Sequence, residues 1–207
     1  MKGAILGSRP MEHLMIVDFK PLYLGVVLAL GTPALAADPQ HIQALNDEAL
    51  SLHAAGRYDE AARHYRELLP LLDEHFGPNS LEVARIRASL GATQLARRQY
   101  REAAKTYRAV LDGLPEAGSP RLRADALNGL ASALYMRRQY GKAEPLYQQA
   151  REILEAQPSV PREQLLLVLD NLSSLYRTLR RDSQAEQYRQ QAQELRRERE
   201  EAGEDAP

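Results

Sequence analysis

Cysteine and tryptophan are absent from the 207 residues, and lysine is scarce, with only Lys2, Lys20, Lys105 and Lys142 among 27 basic residues. A chain without cysteine can hold no disulfide, thiolate zinc site, iron–sulfur cluster or catalytic thiol. An excess of one charge is missing as well. The basic residues face 28 acidic ones for a net charge of −1, so the broad basic surface that nucleic acid binding draws on is not there. The residues that are present, 44% hydrophobic and 27% charged, make a folded soluble chain of about one domain. The arginine bias is read first as a trace of GC-rich coding.

Motifs for chemistry are also missing. There is no H-E-x-x-H, no G-x-S-x-G, no phosphate-binding glycine loop and no dinucleotide fingerprint. After residue 36 the histidines are His41, His53, His64 and His75, and none forms a close helical pair that could begin a zinc shell. The reading is therefore a protein that is not an enzyme and uses no cofactor or metal.

The front of the chain differs from the rest. Leu22 to Leu30 is an uncharged apolar run behind Lys20, leading through Gly31, Thr32 and Pro33 to Ala34-Leu35-Ala36. A basic residue, a short apolar stretch and a small-x-small end describe a secretory signal peptide. The run is shorter than the roughly 20 residues of a membrane span. Residues 1–36 are thus expected to be a signal peptide cleaved near Ala36, with no membrane span afterwards and a periplasmic or secreted destination in a bacterium. Glu12 and Asp18 make its leading region long and mixed in charge, and starts at Met11 or Met15 give a more ordinary one.

The remainder repeats. Strings beginning at Leu45, Arg87, Leu127 and Leu169 align, and their anchoring alanines Ala61, Ala103, Ala143 and Ala185 fall 42, 40 and 42 residues apart. Twelve residues before each anchor stands a small residue: Ala49, Gly91, Ala131 and Ser173. Helices packed 8 to 10 Å apart leave room for only such residues where backbones approach. Leu127, Leu130, Ala131 and Leu134 follow the i, i+3, i+4, i+7 spacing of one helical face, as do Leu169, Leu172, Ser173 and Tyr176. Short inner turns at Gly56-Arg57, Arg98-Gln99, Arg138-Gln139 and Arg181-Asp182 force antiparallel helix pairs. Ser119-Pro120 reads as a helix start. Pro70 is expected to kink or end its helix early, and Pro145 to fall in a first turn. Tyr58, Tyr65, Tyr100, Tyr107, Tyr140 and Tyr147 occupy repeat columns and read as packing residues with hydroxyls near solvent.

This pattern resembles the tetratricopeptide repeat, and LNGLASALY with YGKAEPLYQQA is similar to its kinesin light chain type. The resemblance implies an all-α solenoid, a right-handed superhelix of about four helix-turn-helix repeats over 41–78, 80–118, 120–158 and 161–200. The domain then spans 37–200, with a disordered tail over 201–207. It also implies that first helices line a concave groove, for which the columns nominate Asn46, Arg85, Asn128, Ser132, Tyr135, Asn171, Ser174 and Arg177. Some relatives clamp C-terminal carboxylates there with lysine, asparagine and arginine. Asn46, Asn128 and Asn171 are in place here but the lysines are not, so that clamp is not expected. Amides, hydroxyls and one tyrosine suit an extended peptide backbone or a partner helix. The functional expectation is an exported, non-enzymatic scaffold or adaptor binding a protein or peptide in its groove. The alternative is an accessory subunit or regulator of a cell-envelope enzyme that binds peptide or glycan fragments. Homo-oligomerisation is left open.

Overall fold

Each inner turn uses the same pair of backbone hydrogen bonds. In the first, the Gly56 N–H donates to the His53 carbonyl at 3.0 Å and the Arg57 N–H to the Leu52 carbonyl at 2.8 Å. This arrangement closes a helix through one residue with positive φ, which is Gly56 at 74° and then Arg98, Arg138 and Arg180 at 58–59°. Repeat four therefore turns at Arg180-Arg181, one residue earlier than expected. No glycine marks the place.

A computed structural model describes residues 39–114, 119–157 and 162–202. The signal peptide read at 1–36, the expected cleavage site and the tail after residue 202 lie outside these residues. The described residues form α1 (Pro39–Ala54), α2 (Tyr58–Phe76), α3 (Leu81–Ala96), α4 (Tyr100–Gly113), α5 (Pro120–Met136), α6 (Tyr140–Glu155), α7 (Arg162–Thr178) and α8 (Asp182–Ala202). Among the described residues there is no strand. The helices pack in chain order, and α3 also meets α5 while α5 meets α7. First helices touching first helices places them on the inner side of an all-α solenoid.

The starts of α3 and α5 are capped by serine. Ser80 Oγ accepts from the Val83 N–H and Ser119 Oγ from the Leu122 N–H, both at 3.3 Å. Of the two expected effects of Pro70, an early end does not occur, since α2 runs on to Phe76. Pro70 faces solvent, where water can satisfy the carbonyl that its missing N–H leaves free. Pro145 also lies on the solvent side, at the sixth residue of α6 and so just past the first turn. Arg87, the odd member of a leucine column, ties the repeat junction together by donating to the Pro78 carbonyl at 2.7 Å and to Asp73 at 3.3 Å.

The small column meets the anchoring alanines as packing requires. Ala49, Ala61, Ala103, Ala131 and Ala143 are wholly buried, and Ser173 donates from its hydroxyl to the Ala185 carbonyl at 2.9 Å. Tyr65, Tyr107 and Tyr147 are also wholly buried. Their hydroxyls lie inside, which corrects the expectation that they reach solvent. Tyr107 is wedged between helices: a methyl on Gly91 would sit 2.9 Å from its ring, and one on Gly129 only 2.2 Å. Desolvation raises all three phenol pKa values, that of Tyr65 to about 12.

Candidate functional site on the inner face

Contact between first helices decides what the inner face can offer. Because α5 is flanked by α3, α4, α6 and α7, every residue from Ala124 to Leu134 is buried. Asn128 and Ser132, nominated for the groove, belong to that run. Ser132 Oγ donates to the Asn128 carbonyl at 2.8 Å and shares a 3.0 Å bond with the Tyr147 hydroxyl. Asn128 Oδ1 accepts from Asn171 Nδ2 at 2.9 Å, which links α5 to α7. Asn46 is buried in α1. The expectation that these three side chains stand free for a partner is thereby corrected: packing and internal hydrogen bonds occupy Asn128 and Ser132, and Asn46 is enclosed by packing with its Nδ2 lacking a hydrogen-bond partner.

The other nominated residues keep some surface. Arg85, Tyr135, Asn171 and Ser174 are half-buried and Arg177 is exposed. Tyr135 and Thr178 share a 2.9 Å hydroxyl bond between α5 and α7, and the Tyr135 ring lies 5.4 Å from that of Tyr140. The accessible part of the inner face therefore gathers at the turn end of repeats three and four. Arg85 lies apart, in repeat two.

Asp125 stands in the groove columns of repeat three, but its burial, and a polar junction between repeats three and four, were not legible in the sequence. Asp125 is 6% exposed, with the Arg121 guanidinium 4.0 Å away. Its burial raises the carboxyl pKa to about 7. Between repeats three and four, Tyr176 and Tyr188 stack at 5.4 Å with planes 9° apart. Gln148 donates to both hydroxyls, and Glu144 accepts from Tyr176 at 2.8 Å. Arg181 pairs with Glu144 at 3.0 Å and lies over the Tyr176 ring. Tyr176 takes the place of Leu134 in its column, the one visible sign of this polar junction in the sequence.

Among the described residues, no three histidine or carboxylate side chains converge where a metal ion could sit. Nor is any helix there long and apolar enough to cross a membrane. What the inner face presents is a hydrogen-bonding and aromatic surface. That suits recognition of another chain.

A paired-helix solenoid with small residues at its helix crossings defines a repeat protein of the interaction type. The tetratricopeptide repeat profile matches residues 40–116 and 122–198, and the chain belongs to that family. Among solved structures it is similar to BtubC (BKLC) from P. vanneervenii, with 21% identity and a TM-score of 0.68. The match covers 77% of this chain and 65% of that one, and at this identity the likeness concerns the fold. No curated protein sequence matches the chain. Tetratricopeptide repeats generally mediate protein–protein interaction.

Proposed function

We propose that this protein is an exported, non-enzymatic scaffold or adaptor of the bacterial envelope that holds a protein or peptide against the inner face of repeats three and four. The observation that carries the reading is the exposure left together at Tyr135, Asn171, Ser174 and Arg177, beside the stretch of α5 that packing closes. Tyrosine and arginine are the residue types that most often anchor an interface, and losing one such anchor commonly costs about 2 kcal/mol or more of binding. Export rests on the Leu22–Leu30 run and Ala34-Leu35-Ala36.

Two experiments test these halves separately. Native protein sequenced from its N-terminus begins at Ala37 or Asp38 if the signal is cleaved, and a start at Met1, Met11 or Met15 in cytoplasmic protein refutes export. Affinity capture from the envelope, with the partner identified by mass spectrometry, should retain one stable protein on wild type and lose it on Tyr135→Ala combined with Arg177→Ala. Equal capture by the folded double variant moves the site away from the inner face.

A further inference from the structure

The four inner turns lie along one edge of the solenoid, and three of them hold arginine where the backbone favours glycine. Arg98, Arg138 and Arg180 have φ values of 59°, 58° and 59°, a left-handed conformation in which a Cβ is strained. Repeat one, with the same hydrogen bonds, has Gly56. The next residue gives up a favourable choice too. Arg57, Gln99 and Gln139 start the second helices with no side-chain cap, where serine or aspartate would serve better. Neither choice is explained by the stability of the turn itself.

The cations of this edge fall into two groups. In one group the cations already hold carboxylates: Arg57 binds Glu60 through two 2.6 Å bonds, Arg97 pairs with Asp59, and Arg181 with Glu144. In the other, the side chains of Arg98, Arg101, Arg137, Arg138, Lys142 and Arg180 have no ion pair or hydrogen bond among the described residues. Elsewhere, arginines such as Arg162, Arg196 and Arg199 reach across helices to Glu198, Asp170 and Glu163. Three members of this row, Arg98, Arg101 and Arg137, line an open cleft of about 490 Å³ between the turns of repeats two and three, together with Tyr100 and Glu102. Half-buried Tyr100 and Tyr140 add flat apolar surface beside the charges. Met136, 41% exposed, extends it.

We propose that this turn edge is a second docking surface, separate from the inner face, and that its occupant is an acidic polypeptide segment of another protein lying across the turns of repeats two to four. The guanidinium fork fits a carboxylate through two parallel hydrogen bonds, and Arg57 with Glu60 shows that geometry on this same edge. A polypeptide fits better than a nucleic acid because Glu102 and Asp182 stand within the row and the chain as a whole carries no basic excess. The arginines keep their strained places because the ligand, and not the fold, uses them.

The test uses the full chain and a fluorescent oligoglutamate peptide at low ionic strength. Wild type should bind it, with affinity falling steeply as salt is added. Arg98→Gly, Arg138→Gly and Arg180→Gly combined should bind at least about tenfold more weakly, as expected when three charge-assisted donors are lost. Because glycine suits those φ values, the variant should melt no lower than wild type, so unfolding cannot mimic the loss. Tyr135→Ala with Arg177→Ala should bind the peptide as wild type does, which keeps this surface distinct from the inner face. Absence of binding by wild type overturns the proposal, as does equal binding by the glycine variant. Tighter binding of a duplex DNA than of the peptide overturns it in favour of a phosphate ligand.

Discussion

Gly129→Ala should destabilise the protein even though alanine is the better helix former, and the reason is a single ring. A methyl at this position would stand 2.2 Å from Tyr107 Cζ and 2.5 and 2.6 Å from its two Cε atoms. Ordinary carbon contacts lie near 3.5 to 4.0 Å, so the ring would have to withdraw by roughly 1 Å or more. It has nowhere to go. Tyr107 is 1% exposed, and Gly91 backs the same ring so closely that a methyl there would be 2.9 Å away. Overpacking costs typically about 1 to 3 kcal/mol and more where the surroundings cannot relax. The intrinsic gain of alanine over glycine in a helix returns about 1 kcal/mol, so the net loss should be about 2 kcal/mol. Urea unfolding followed by far-ultraviolet circular dichroism reads this as a lower midpoint. Gly141→Ala, with nothing within 4 Å of the added methyl, should leave the midpoint unchanged or raise it slightly. In a Tyr107→Ala background, itself costly by about 3 to 5 kcal/mol, Gly129→Ala should become neutral or stabilising. A Gly129→Ala protein that unfolds at or above the wild-type midpoint refutes the wedge.

Asp125 predicts a pH dependence of stability. Its folded pKa, about 7, lies above the ordinary 3.8, so the unfolded chain binds fewer protons across that window and stability falls as pH rises through it. At about 1.4 kcal/mol per pH unit the loss reaches at most about 4 kcal/mol. Asp125→Asn should flatten the slope and be at least as stable as wild type above neutrality, and an unchanged slope in the variant would assign the effect to other groups. The turn arginines predict the opposite of ordinary surface substitutions: Arg98→Gly, Arg138→Gly and Arg180→Gly should each change stability by between about 0 and +1 kcal/mol. A clear drop in melting temperature for any one of them would contradict the left-handed geometry of that turn.

The repeat was legible because its columns answer to one constraint, the close approach of two backbones, which Ala49, Gly91, Ala131 and Ser173 meet in chemically recognisable ways. Turn register was harder. In repeat four the left-handed residue is Arg180, and arginine carries no conformational mark as glycine does in repeat one. The tyrosines misled for a physical reason: their usual habit places the hydroxyl at a wet edge, but Ser132 supplies an internal partner for Tyr147 and two glycines make room for Tyr107. The groove residues were chosen by column, and a column says which side of a helix a residue occupies. It does not say how closely α5 approaches α3 and α7. That distance closes over Asn128 and Ser132 while leaving Tyr135 and Arg177 accessible, and it arises only from the packing of all four repeats.

The two candidate surfaces make different demands on solvent, and this separates them without any mutation. Binding at Tyr135, Asn171 and Ser174 would rest on hydrogen bonds and an aromatic ring, which added salt weakens little, with Arg177 the single charged member of that site, whose contribution salt screens. Binding along Arg98, Arg101, Arg137 and Arg138 would rest on exposed charges, whose attraction is screened over about 10 Å at moderate ionic strength and over about 3 Å near 1 M salt. A partner that stays attached in molar salt but leaves when Tyr135 is removed belongs to the inner face. One that dissociates between low and moderate salt, with Tyr135 intact, belongs to the turn edge. A partner that spans both should lose affinity in two stages, because the turns of repeats three and four lie beside the exposed end of the inner face and one extended segment can cross from one surface to the other.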